Sequence, residues 1–147
     1  MVTNNLNAEV KDALNNLLKT FFKANSTADN IAYALDCELN CPVASKLYHE
    51  EFAHVFPSDK YADLLSNVMV CEGVRPVRKS FDGDTDTYDN IVLAFEDNYK
   101  LMYDVKTEIL STIELLDFYK ECKVFIIILE EMALTASKML HQSDIWR

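Results

Sequence analysis

The run His49-Glu50-Glu51-Phe52-Ala53-His54 is the densest group of acid–base and metal-ligating side chains in the chain. Its spacing separates two chemistries. The histidines are five apart, so on a continuous helix they diverge by roughly 140° and cannot share a zinc ion, which excludes the H-E-x-x-H arrangement of a metalloprotease. Glu51-x-x-His54 fits better, because residues at i and i+3 stand side by side and can present an oxygen and a nitrogen donor to the interior of a helix bundle. With the apolar face centred between Tyr48, Phe52 and Val55, Glu51 falls within roughly 60° of it and His54 near its edge. A carboxylate placed there needs a partner, since burying an unpaired charge is costly. A metal ion would serve, and so would a Lys or Tyr inside the bundle or a subunit seam. His49 sits at the boundary of the same face, where an interface or surface role competes with ligation.

A carboxylate-bridged di-iron centre also needs an inward acid on each of two further helices and a second Glu-x-x-His. Glu38, and less well Asp36, can approach the core edge of the first helix. On the third, the inward polar residue is Asn98, while Glu96 and Glu108 point away. On the fourth, Glu130 and Glu131 lie off the apolar stripe and no His stands three residues later. The expectation is half a site. Asp82-x-Asp84-x-Asp86 begins like a calcium loop, but Thr87 stands where the loop needs Gly and Leu93 where it needs Glu, so it reads as an acidic helix-capping loop. Cys37-x-x-x-Cys41 puts two thiols one helical turn apart, suited to a soft metal or, more commonly, to small core positions. No G-x-S-x-G, phosphate-binding or dinucleotide-binding fingerprint occurs.

Composition determines the elements that must position these residues. The chain has 147 residues, half of them hydrophobic, with Gly at 2 and Pro at 3. That is one domain of roughly average size, too poor in turn residues for an all-β fold. All five Gly and Pro precede residue 84, so the C-terminal part of the chain must be mostly helix. Apolar residues recur at helical spacing from Leu6 to Leu39, with Ser26-Thr27-Ala28-Asp29 offering capping chemistry for a break or kink, beside the alternative of a single long helix. Pro42 suits the first turn of a second helix with Ala44, Leu47, Tyr48, Phe52 and Val55 facing inward, interrupted at Pro57-Ser58-Asp59 and ending at Gly73. Asp84-Thr-Asp-Thr caps a third helix, and a fourth carries Phe118, Cys122, Phe125, Leu129, Met132, Ala136 and Met139 inward. The apolar run at 124–129 is expected to be buried. The fold class is thus all-α: an antiparallel four-helix bundle spanning 1–147, with helices over roughly 4–39, 43–72, 87–115 and 118–141 and a long connection between the second and third.

Twenty-four acidic residues against 14 basic give a net charge of −10, which disfavours nucleic-acid binding, and Arg75, Arg78 and Lys79 read as a solvated loop. No signal peptide or membrane span is expected, and the 4 cysteines, without a C-x-x-C pair, read as reduced thiols in a cytoplasmic protein.

The stretches Leu47-Tyr-His-Glu-Glu-Phe and Glu72-Gly-Val-Arg-Pro-Val resemble the second helix and post-helix turn of the mini-ferritins, the Dps family, and Asn98-Tyr-Lys-Leu-Met-Tyr and Leu129-Glu-Glu-Met resemble its third and fourth helices. The resemblance implies a ferritin-like bundle, iron as the metal, ferroxidase chemistry and a symmetric homo-oligomer. Carried across, the family's second-helix metal histidine falls on His49 and its downstream aspartate near Asp63. Its next acid lands near Asn67 or Val68, and its first-helix histidine near Cys37-Glu38, so the implied di-metal site is incomplete. The candidate ligands are therefore Glu51, His54, His49, Glu38 and Asp63. Two functions stand side by side: an oligomeric iron-binding protein of storage or oxidative-stress protection, and a metal-free bundle acting as an interaction or structural module with a protein partner.

Overall fold

A computed structural model describes residues 6–147. Asn7 opens α1 (Ala8–Cys37) by accepting the Val10 amide on its side-chain oxygen at 2.9 Å. The helix runs unbroken through Ser26-Thr27-Ala28-Asp29, as a single helix over roughly 4–39 requires, because Ala24, Ala28, Ile31 and Leu35 keep the buried stripe in phase. Residues 4 and 5, at the expected start, lie outside the described residues.

The expected second helix is two. Pro42 is the first residue of α2 (Pro42–Glu51), where its missing N–H costs nothing. Phe52 leaves helical geometry at φ −120° and ψ −60°, a 3₁₀ turn spans Ala53–Val55, and α3 (Ala62–Cys71) resumes the direction. The break thus begins before Pro57. Phe52, Phe56 and Tyr61 are completely buried, and Tyr61 stacks on Phe56 and packs against Phe21 of α1 with centroids 5.5 and 4.9 Å apart. Aromatic burial fixes the irregular segment. Gly73, at φ 73°, ends α3 in the left-handed conformation that glycine adopts freely.

Residues 72–90 then return along α1. Asn15 pins the connection at one end, donating to the Arg75 carbonyl and accepting the Val77 amide. Lys79 reaches Asp12 at 2.7 Å, Arg78 lies over the Phe22 ring at 3.6 Å, and Asn30 donates to the Asp86 carbonyl at the far end. Contacts advance from 15 to 30 as the connection advances from 75 to 86, so the two run parallel.

The cap of α4 (Ile91–Leu116) is Asn90, whose side chain accepts the Leu93 amide, and not the Asp-Thr-Asp-Thr segment. The last helix, α5 (Lys123–Trp146), lies about five residues later than the expected 118–141. Phe118, expected in the core, is 84% exposed in the turn, and the helix runs on because Ser143 is buried and Trp146 packs inward. The Tyr119 hydroxyl donates to Glu9 and Arg147 bonds Glu96, so α4 runs antiparallel to both α1 and α5.

The result is two antiparallel helical hairpins sharing one continuous apolar core, with no strand among the described residues. Some expected core positions face solvent instead, among them Leu47 at 47% and, within the 124–129 run, Val124 at 46% and Ile127 at 58%. No described helix is long and apolar enough to cross a membrane.

Candidate functional site at the α2 end of the bundle

The early end of α2 reverses the expectation about its histidines. Because the chain leaves the helix at Phe52, 100° per residue no longer applies between 49 and 54, and the His49 and His54 rings come to 6.2 Å between centroids, tilted by 31°. Asp29 of α1 joins them, its Oδ1 3.6 Å from His49 Nε2. That oxygen is buried without a hydrogen bond, and burial pushes the Asp29 carboxyl above its ordinary value, opposed by His49. Sequence reasoning missed Asp29. Its signal was the spacing of Asn25, Asp29 and Ala32, one stripe of α1 that faces the second helix: Asn25 donates to the Ala53 carbonyl at 2.8 Å, and the Ala32 carbonyl accepts from Ser45 at 2.6 Å.

Glu51 is not on the apolar face. It is exposed at the rim, where its Oε2 accepts from Trp146 Nε1 at 2.9 Å and from Gln142 Nε2 at 3.4 Å. Tyr48 and Phe52 take the inward positions instead, so Glu51 turns to α5 and latches its last turn. His54 is exposed in the 3₁₀ turn, Glu38 is the exposed C-cap of α1, and Asp63 is exposed in the first turn of α3, where a carboxylate suits the helix dipole. Of the five candidate ligands, the fold brings only His49 and His54 to each other. Among the described residues, no three His, Cys, Asp or Glu side chains gather as a metal-ligand cluster.

The interior at this level is occupied by something else. Tyr48 is completely buried, and its hydroxyl donates to Asn98 Oδ1 of α4 at 2.8 Å. Burial drives the Tyr48 phenol well above its ordinary value, with Tyr88 and Asp29 adding to the effect, so the pair is neutral. Around it Trp146 packs edge-on against Tyr48, Phe52 and Phe95 at 6.0, 5.6 and 5.4 Å. Asn98 is the inward polar residue that the periodicity of the third helix indicated. The buried polar residues of the described chain are Asn15, Asn98, Thr112 and Ser143, with no carboxylate and no histidine among them. These residues do not fit a di-iron centre inside the bundle.

The acidic loop takes a local role: Asp84 accepts the Asp86 amide at 2.9 Å, and the hydroxyl of the buried Tyr88 donates to Asp97 at 2.7 Å. All four cysteines are free; Cys122 is buried and Cys41 donates to the Leu39 carbonyl. Comparison of the chain with models of known protein families and with curated proteins gave no match in either case.

Chemically, this edge offers two exposed imidazoles, His49 and His54, with the Asp29 carboxylate behind His49 alone. The interior offers hydrogen bonding and shape alone.

Proposed function

We propose that this protein is a ferritin-like four-helix bundle serving as an interaction or structural module, without ferroxidase turnover. Two observations support the topology: a broken second helix made of α2 and α3, and a connection that returns along α1 before the second hairpin begins. One observation carries the function. At the level where an inward Glu-x-x-His would present its ligands, the bundle holds the neutral Tyr48–Asn98 pair inside an aromatic shell, while Glu51 is committed to Trp146 at the rim. Neutral groups without lone carboxylates give Fe(II) or Fe(III) no counter-charge in a low-dielectric interior. The net charge of −10 further favours protein partners over polyanions.

A second reading rests on the 6.2 Å approach of His49 and His54 beside Asp29. In it, iron binds at this edge and a second subunit completes the ligand set. Anaerobic loading with Fe(II) and then desalting separates the two. The structural module retains no stoichiometric iron, and His49→Ala/His54→Ala changes nothing. Stoichiometric iron that is lost in the double variant overturns the first reading, and its loss on dilution to monomer would put the site between subunits.

A further inference from the structure

Helix α5 carries two apolar faces, and the core covers only one. Phe125, Leu129, Met132, Ala136, Met139 and Ser143 are buried. At 100° per residue the opposite side presents Lys123, Ile127, Leu134, Lys138, His141 and Ile145 within an arc of about 60°, with Glu130, Glu131 and Val124 at its edges. Ile127, Leu134 and Ile145 are 58, 67 and 63% exposed. Single exposed apolar residues are ordinary on a monomer, but a stripe running the length of one helix is the pattern of a covered surface.

The charges within the stripe say what covers it. We infer that α5 packs antiparallel against α5 of a second copy of this chain, about a two-fold axis beside Leu134. A two-fold contact pairs residue i with j and j with i, so a self-complementary surface must place opposite charges symmetrically about its centre. Glu131 and Lys138 do so. In that register Glu131 of each chain meets Lys138 of the other, Val124 meets Ile145, Ile127 meets Gln142, and the axis falls between Leu134 and Thr135, so the two copies of Leu134 lie within one residue of each other across it. Neither Glu131 nor Lys138 makes a side-chain ion pair within the described chain. The register also centres α5 on its own midpoint, since Lys123 and Trp146 bound the helix, so all 24 residues overlap, about 36 Å of seam. A parallel pairing would instead set Glu131 against Glu131 and Lys138 against Lys138, which like-charge repulsion disfavours.

The inference deepens the interaction reading by naming the partner and surface, and iron loading does not bear on it. Its test is sedimentation equilibrium of the full chain, with circular dichroism as the folding control. Wild type should be a dimer that Leu134→Glu converts to a folded monomer. Glu131→Lys alone and Lys138→Glu alone should each weaken association, roughly tenfold or more in Kd, and the combined swap Glu131→Lys/Lys138→Glu should restore it. Because a merely folded helix gains nothing from the swap, restoration identifies the reciprocal pairs. A cross-check that does not depend on affinity is Leu134→Cys in a Cys37→Ser/Cys41→Ser/Cys71→Ser background, which should form a symmetric disulfide on oxidation. A wild-type monomer at all concentrations, an assembly indifferent to Leu134→Glu, or single and swapped charge variants that behave alike would each overturn the inference.

Discussion

Tyr48→Phe removes the only donor that the described residues offer to Asn98 Oδ1 in the middle of the bundle. The amide then sits at zero exposure without any bond, because its Nδ2 already has no partner. Leaving a buried polar group unsatisfied costs about 1–3 kcal/mol, and Asn98→Leu, which strands the Tyr48 hydroxyl in the same way, should cost a similar amount. The double variant Tyr48→Phe/Asn98→Leu strands nothing, since both partners become apolar at nearly constant volume, and it should lie close to wild type or above it. The two single changes are therefore coupled by about 1–3 kcal/mol, with the double far better than their sum. Urea unfolding monitored by circular dichroism measures this directly, and in thermal melts each kcal/mol corresponds to about 4 °C for a chain of this size. A neutral Tyr48→Phe, or a double variant equal to the sum of the singles within ~0.5 kcal/mol, would refute the view that this pair is an isolated polar group inside an apolar interior.

Other consequences of the same end of the bundle are testable. Phe52→Ala empties a completely buried aromatic site and should cost about 3–5 kcal/mol, whereas Glu51→Gln should cost under ~1 kcal/mol while shifting the emission of Trp146, the chain's single tryptophan. Asp29 has its folded pKa raised by burial, so between the ordinary carboxylate value and the raised one the native state binds more protons and stability falls as pH rises. Asp29→Asn should accordingly stabilise the protein at pH 7 and leave it unchanged below both values; an equal effect at both pH values would contradict the assignment. Tyr48, Tyr61 and Tyr88 are all raised above the ordinary phenol range, chiefly by burial, so their contribution is complete below that range and lost as pH climbs through it. Alkaline titration at 295 nm should show these three ionising together with unfolding, and early ionisation of all tyrosines from a folded chain would speak against their burial.

Helical periodicity made the long elements legible because α1, α4 and α5 each keep their buried stripe in phase for six or more turns. The capping and proline chemistry read correctly at Pro42 and Gly73, where a single residue type decides the local geometry. The site did not read correctly, for one physical reason. Placing Glu51 inward and the histidines apart assumed an unbroken helix through 52, and the departure there is enforced by tertiary burial of Phe52, Phe56 and Tyr61, which no local spacing announces. Phe118, Val124 and Ile127 were misplaced for a related reason: hydrophobicity alone does not say which apolar side chains of a run the fold turns inward.

The strap at 72–90 is the sole covalent link between the two hairpins, and only Val74 and Tyr88 of it are buried core residues. Beyond those two residues it is held to α1 by polar and cation–π contacts at Asn15, Asp12, Phe22 and Asn30, so local opening of the strap should cost less than separating the hairpins. Arg78 and Lys79 then become accessible to trypsin ahead of any helix. A chain nicked there would persist as two fragments held by the shared core of α1, α4 and α5, co-eluting under native conditions and separating only in denaturant. The architecture is in that sense a heterodimer of hairpins written as one polypeptide, in which the strap sets effective concentration more than it supplies stability.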